Sequence, residues 1–205
     1  MCNDIRLRKA KLSVLSGTVL IAAALIGIDA RRALVPLIAE TGGVNAMIVD
    51  TTALAEQVVD AVLTSAFRSA GQRCSALRLL CLHESTADAV LEMLSGALIE
   101  LVVGDPADPA TDVGPVIDRA AKATLDEQLA ALERRGRLVA RLVLPAGLQG
   151  EYIAPCVYEI DTVEAADEEL FGPVLQVVRW SGEVEDLVGR INALGFGLTL
   201  GVHTR

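Results

Sequence analysis

Residues 54–82 read LAEQVVDAVLTSAFRSAGQRCSALRLLCL. Leu54, Val58, Val59, Val62, Leu63 and Phe67 recur at one-face helical spacing, which predicts a helix from Leu54 to Ala70. Leu77 to Leu82 is a short apolar run and predicts a buried strand. A helix that hands over to a buried strand is the building unit of an α/β fold. The same alternation continues on both sides. Asn45 to Val49 (NAMIV) predicts a strand. Ser85 to Leu101 predicts a helix with Val90, Leu91, Leu94 and Leu98 on one side. Asp105-Pro106 and Asp108-Pro109 mark a loop. Asp118 to Arg135 predicts an amphipathic helix, N-capped by Asp118, burying Leu125, Leu129 and Leu132 and stopped by Gly136. Strands are expected at Arg137–Leu144, Tyr152–Ile160, Val174–Trp180 and Leu198–Val202, with a helix at Val184–Ala193. Strands separated by helices favour a largely parallel, covered sheet.

The chain has 205 residues, enough to bury a core. Hydrophobic residues are 52% and charged residues 22%, too apolar for disorder. Aromatics are only 3%, so Ala, Val and Leu must build the core. Lys plus Arg is 18 against 27 Asp plus Glu, a net charge of −9, which argues against nucleic acid as a partner. The four cysteines (Cys2, Cys74, Cys81, Cys156) form no CxxC pair, and two histidines are too few for a His-based metal site, so no metal is expected. Reduced thiols and a cytoplasmic location follow. Near the start, basic residues precede an apolar run from Leu12 to Ile28. That run is 17 residues, short of the ~20 a spanning helix needs. It reads as a buried element, as a start foreign to the fold, or as a membrane anchor; no stable membrane insertion is expected.

Three segments can carry chemistry. Ser69-Ala70-Gly71-Gln72-Arg73-Cys74-Ser75-Ala76 lies between the predicted helix and strand. A cysteine there, beside Gly71 and a cation, reads either as an exposed nucleophile or as a small core filler. Cys81 and Cys156, inside apolar strands, fit the core reading. Glu40-Thr41-Gly42-Gly43 reads as an ordinary turn or as a carboxylate able to activate water. Asp167-Glu168-Glu169-Leu170-Phe171-Gly172-Pro173 reads as a solvated acidic face or as a carboxylate that accepts hydrogen bonds from a sugar diol.

The chain order of these segments, Glu-Thr-Gly-Gly, then Gly-Gln-Arg-Cys, then Gly-Asp-Pro and Gly-Pro-Val-Ile, then Glu-Leu-Phe-Gly-Pro-Val, resembles the catalytic domain of the aldehyde dehydrogenase superfamily. Within it the likeness is to the glutamate semialdehyde (1-pyrroline-5-carboxylate) dehydrogenase branch of bifunctional proline-utilization proteins. Ile38–Asp50, Ser69–Arg78, Asp112–Asp118 and Phe196–Arg205 carry it, and it runs from Pro36 to Arg205. The resemblance implies an α/β, aldehyde-dehydrogenase-like catalytic domain with a largely parallel sheet covered by helices, truncated at both ends. Residues 35–205 would be a partial catalytic domain and residues 1–34 an atypical N-terminal segment. It implies Cys74 as nucleophile, forming a thiohemiacetal and then a thioester, and Glu40 as general base. The backbone N–H of Cys74 would donate to the oxyanion. NAD is the implied cofactor, with Glu169 on its ribose, Phe171 by the nicotinamide ring, and Thr41 and Gly42 passing nearby. Ser75 would contact the α-carboxylate of a small aldehyde substrate, L-glutamate γ-semialdehyde. Arg73 contributes local positive charge. A homo-oligomer is expected of the intact family member.

The sequence also departs from the family. Its Pro-Trp-Asn segment, adenosine-ribose lysine and Phe-Thr-Gly-Ser phosphate turn do not occur before Glu40, and its Pro-Phe-Gly-Gly segment does not occur before Arg205. Two expectations stand: oxidation of an aldehyde, weak or absent in this chain alone, or a non-catalytic fragment or degenerate copy that keeps the fold as an interaction module.

Overall fold

The structure, a computed structural model, describes residues 42–205. Chain order is β1 (Asn45–Val49), α1 (Ala55–Val62), β2 (Leu77–His83), α2 (Glu84–Ile99), α3 (Arg119–Arg135), β3 (Gly136–Arg141), β4 (Cys156–Ile160), β5 (Val174–Trp180), α4 (Val184–Ala193) and β6 (Leu200–His203). The strands form one sheet in the order β3-β4-β5-β2-β1-β6. Only the β3–β4 pair is antiparallel.

The sheet is apolar on both faces because helices cover both. Met47, Val49, Leu80, Leu82, Leu175 and Val177 pack against Val58, Val59 and Val62 of α1 and Val90, Leu91, Leu94 and Leu98 of α2. The alternate residues Ala46, Ile48, Leu79, Cys81, Val174 and Val178 pack against Leu125 and Leu132 of α3 and Leu187 of α4. Asp118 caps α3, its Oδ1 accepting from Ala121 N at 2.7 Å, and Gly136 ends that helix. Leu125 and Leu132 are buried as expected, with Leu129 packed at the edge of the same cluster.

The pairing of β1 with β2 contains a register shift. Asn45 lies opposite Leu77 and Ala46 opposite Leu79, so Arg78 is an extra residue in a β-bulge. An extra residue is left off the ladder and its side chain is re-aimed.

Four expected elements are corrected. The helix predicted over Leu54–Ala70 ends at Val62; a π turn (Leu63–Phe67) and a 3-10 turn (Arg68–Gly71) follow. Ser69, Ala70 and Gly71 all have positive φ, which an α-helix cannot contain. The strand predicted over Tyr152–Ile160 starts only at Cys156, because Pro155 has no N–H to donate. The strand predicted over Arg137–Leu144 starts at Gly136 and ends at Arg141. The strand predicted over Leu198–Val202 is shifted to Leu200–His203; Thr199 N is bound to the Asn45 side chain instead of to the ladder.

Among the described residues, no helix is long and apolar enough to cross a membrane. Leu12–Ile28 lies outside them.

Leu94 is fully buried while its neighbour Met93 is 38% exposed. Leu94→Ala is therefore expected to cost ~2–5 kcal/mol. Met93→Ala should stay within about 0.5 kcal/mol of the parent. Urea unfolding of both variants checks the helix phase.

Candidate active site

The site lies where the parallel strands begin. Gly43 precedes β1 and Asn45 opens it, Arg78 is at the start of β2, and Gly172 precedes β5. The thiol turn reaches this edge through the π and 3-10 turns. Ser69 (φ 57), Ala70 (φ 50) and Gly71 (φ 64) are successive left-handed residues. A non-glycine residue held there costs ~1–3 kcal/mol, so the surroundings must hold it. Gln72 N donates to Ser69 O at 2.9 Å and Ala76 N to Arg73 O at 3.0 Å, closing a turn around Cys74. The Cys74 thiol is exposed.

Asn45 clamps this turn. Its side chain is buried, and Nδ2 donates to both Cys74 O and Ala76 O at 2.8 Å. Its Oδ1 accepts from Thr199 N at 3.0 Å. Gln72 ties the turn to the loop before α3: Nε2 donates to Pro115 O at 3.3 Å and Oε1 accepts from Ile117 N at 2.8 Å. Arg73 is exposed and donates to Thr64 O.

The acidic segment faces the same edge. Glu169 Oε2 accepts from Gly43 N at 3.2 Å. A Cβ on Gly42 would stand 2.6 Å from that oxygen, so only glycine lets the carboxylate come this close. Glu169 Oε1 is 3.5 Å from Arg78 Nη2. Burial pushes the Glu169 carboxyl above its ordinary range; the Arg78 guanidinium and the Gly43 N–H only partly oppose this. Arg78 is 1% exposed, and its guanidinium carbon lies 5.3 Å from the centre of the Phe171 ring.

Of the residues expected from sequence, Cys74, Ser75, Gly42, Glu169 and Phe171 are described. Two residues at the head of β1, two positions apart, join them. Gly43 holds Glu169, and Asn45 holds the Cys74 carbonyl. Ser75 is exposed, and its carbonyl accepts from Thr199 Oγ1 at 3.4 Å. A hollow of about 220 Å³ beside it is lined by Asn45, Ser65, Ser75, Leu77, Thr199 and Leu200, among others. Glu40 and Thr41 lie outside the described residues, as does Cys2. Glu169 is not on a solvated face, since its side chain is only 12% exposed. Cys81 and Cys156 are buried, and desolvation pushes each thiol up to about 12.

Sequence reasoning missed Asn45, Gln72, Arg78 and Thr199. Asn45 and Arg78 each left a signal: a polar residue at the head of a buried strand and a cation inside LRLLCL need buried partners.

The model of the aldehyde dehydrogenase family matches residues 13–205. The bifunctional protein PutA of Escherichia coli K12 is 50% identical over 185 residues, covering 87% of this chain and 14% of that protein. The betaine aldehyde dehydrogenase of Sinorhizobium fredii is 35% identical over 173 residues, covering 80% of this chain and 35% of that protein. A crystal structure of a mutant proline utilization A (PutA) from Bradyrhizobium japonicum superposes with a TM-score of 0.81 at 50% identity, covering 89% of this chain and 19% of that one. The chain thus spans about 14% of the length of the PutA proteins it matches.

Two outcomes are expected here. A Cβ on Gly71 would lie 2.1 Å from Gly172 O, whereas Gly147 (φ 83) has open space around it. Gly147→Ala should cost only the ~1–3 kcal/mol of a left-handed residue, and Gly71→Ala more than that, by urea unfolding. The raised Glu169 carboxyl means that the native state binds more protons than the unfolded chain just above the ordinary glutamate value of ~4.3, so its contribution to stability falls as pH rises through that window. Glu169→Gln should flatten that part of the stability–pH curve.

Proposed function

The chain belongs to the aldehyde dehydrogenase family, and from that premise we propose that it carries the thiol chemistry of an L-glutamate γ-semialdehyde dehydrogenase, which oxidises that aldehyde to L-glutamate in the second step of proline breakdown. The observation that carries the reading is the Cys74 turn. The sulfur is exposed, while its own backbone carbonyl is clamped by a buried Asn45 two residues from the glycine that binds Glu169. A thiol presented on a rigid turn can meet a carbonyl carbon without first paying for its own ordering.

The Cys74 thiolate adds to the aldehyde carbon, forming the C–S bond of a thiohemiacetal. The Cys74 N–H donates to the oxygen that gains charge. NAD, when bound, supplies the acceptor for the hydride that leaves this carbon. A thioester to Cys74 remains. Glu40 takes a proton from water, the water oxygen attacks the thioester carbon, and the C–S bond breaks to return the thiolate and release the carboxylate. Glu40 is assigned on the family motif alone.

Glu169 suits the ribose of a nicotinamide and Phe171 its ring, with Gly42, and Thr41 next to it in sequence, passing nearby. Glu169 presents carboxylate oxygens to a segment that lacks a side chain at Gly42, which suits a carboxylate meant to accept from a diol. The PutA relatives at 50% identity support the glutamate semialdehyde assignment for the substrate, with Ser75 at its α-carboxylate. Cys74, Cys81 and Cys156 are all unpaired, which supports a reducing, cytoplasmic setting.

The test is NADH formation from L-glutamate γ-semialdehyde. Cys74→Ala should abolish it. Glu40→Gln should lower steady turnover ~10²–10⁴-fold while leaving Cys74 open to iodoacetamide. A rate that survives Cys74→Ala overturns the assignment. So does an unsubstituted chain that makes no NADH and alkylates Cys74 no faster than Cys81 or Cys156; that result favours the interaction module.

A further inference from the structure

Arg78 is a buried cation in the middle of the site, and none of the chemical steps above uses it. It is also the extra residue of the β1–β2 bulge, so its side chain leaves the ladder at the edge where the thiol turn and the acidic segment meet. Among the described residues, every partner of its guanidinium belongs to one of those two segments. On the thiol side, Nη2 donates to Gly71 O at 2.6 Å and to Arg73 O at 3.3 Å. On the acidic side, Nη1 donates to Gly172 O at 3.1 Å, and Nη2 lies 3.5 Å from Glu169 Oε1. Its carbon stands over the Phe171 ring. The Gly71 carbonyl ends the left-handed run, and the Arg73 carbonyl is the one that closes the turn onto Ala76 N.

We propose that Arg78 is a positioning residue that couples the Cys74 turn to the Glu169 carboxylate, so that whatever engages Glu169 alters the presentation of the thiol. The assignment deepens the function proposed above because it concerns the same thiol and carboxylate. The fork matters as well as the charge. A planar guanidinium can hold carbonyls of two segments at once, whereas an ammonium is a point donor without that fixed geometry. The Phe171 contact holds the plane in place.

The test reads the thiol directly, with iodoacetamide as probe on the full chain, and follows the rate of Cys74 alkylation against pH. Four proteins are compared: the parent, Glu169→Gln, Arg78→Lys and the double variant. Circular dichroism and the emission of the single Trp180 report whether each is folded. Glu169→Gln does not alter the thiol turn itself, yet it should change the Cys74 rate profile by about twofold or more, the lower end for residues in one hydrogen-bond network. Arg78→Lys keeps the charge but should change the profile too, and adding Glu169→Gln to it should have no further effect. A structural role alone would lower stability and leave the profile of the folded protein where it was. Superimposable profiles for the parent and Glu169→Gln, or additive effects in the double variant, overturn the proposal. If Arg78→Lys does not fold, the Glu169→Gln comparison alone decides. The two readings separate cleanly. A coupled profile without NADH formation sinks the proposed function and keeps the coupling, while NADH formation with uncoupled profiles does the reverse.

Discussion

The guanidinium of Arg78, sealed from water, is the constraint around which the site is built. A charge in that position is costly unless hydrogen bonds and an opposite charge surround it. Here backbone carbonyls from both sides, one carboxylate and an aromatic face supply them. The consequence runs in both directions. The carbonyls need the cation, because Gly71 and its two left-handed predecessors would otherwise relax. The cation needs those backbone conformations, because among the described residues no side chain other than Glu169 accepts a hydrogen bond from it. The turn and the acidic segment are therefore folded as one unit, although about ninety residues separate them in sequence.

Elements with strong apolar patterning were legible. The bounds of β1, β5 and α4 coincide with those read from sequence, and the Asp118 cap and the Gly136 stop of α3 are where local chemistry puts them. Patterning failed where a long-range contact overrides it. Nothing in AVLTSAFRSAG announces a π turn followed by three left-handed residues; that path is imposed by Arg78 and by the backbone at Gly172, too close to Gly71 for any side chain there. Pro155 was visible, yet its missing donor was not weighed against the apolar residues before it.

The site was legible as residue types and not as a scaffold. Cys74 and Glu169 stand out by their chemistry. Asn45 was read as part of an apolar strand, but its amide does what no apolar residue could, taking two carbonyls and one N–H in a buried corner. Which edge of the sheet carries the site was also hidden. In open parallel sheets ligands usually sit at the carboxyl ends of the strands, and here Cys74, Glu169 and their supports gather at the amino ends. Periodicity reports which face a residue occupies and is silent about which end. Burial likewise divides the thiols: those of Cys81 and Cys156 are held protonated by their surroundings, and that of Cys74 is open to solvent.

The bulge sets a limit on how this protein can vary. Beyond it, β2 alternates Leu79 and Cys81 against Leu80 and Leu82 on opposite faces, both of them apolar. Exchanges among aliphatic residues there are well tolerated by such a surface. A one-residue deletion between Leu77 and Leu79 is another matter. It would remove the irregularity, put the strand back into simple step with β1, and leave no side chain of β2 directed at the thiol turn. Drift in composition is open to this strand, and drift in length is not.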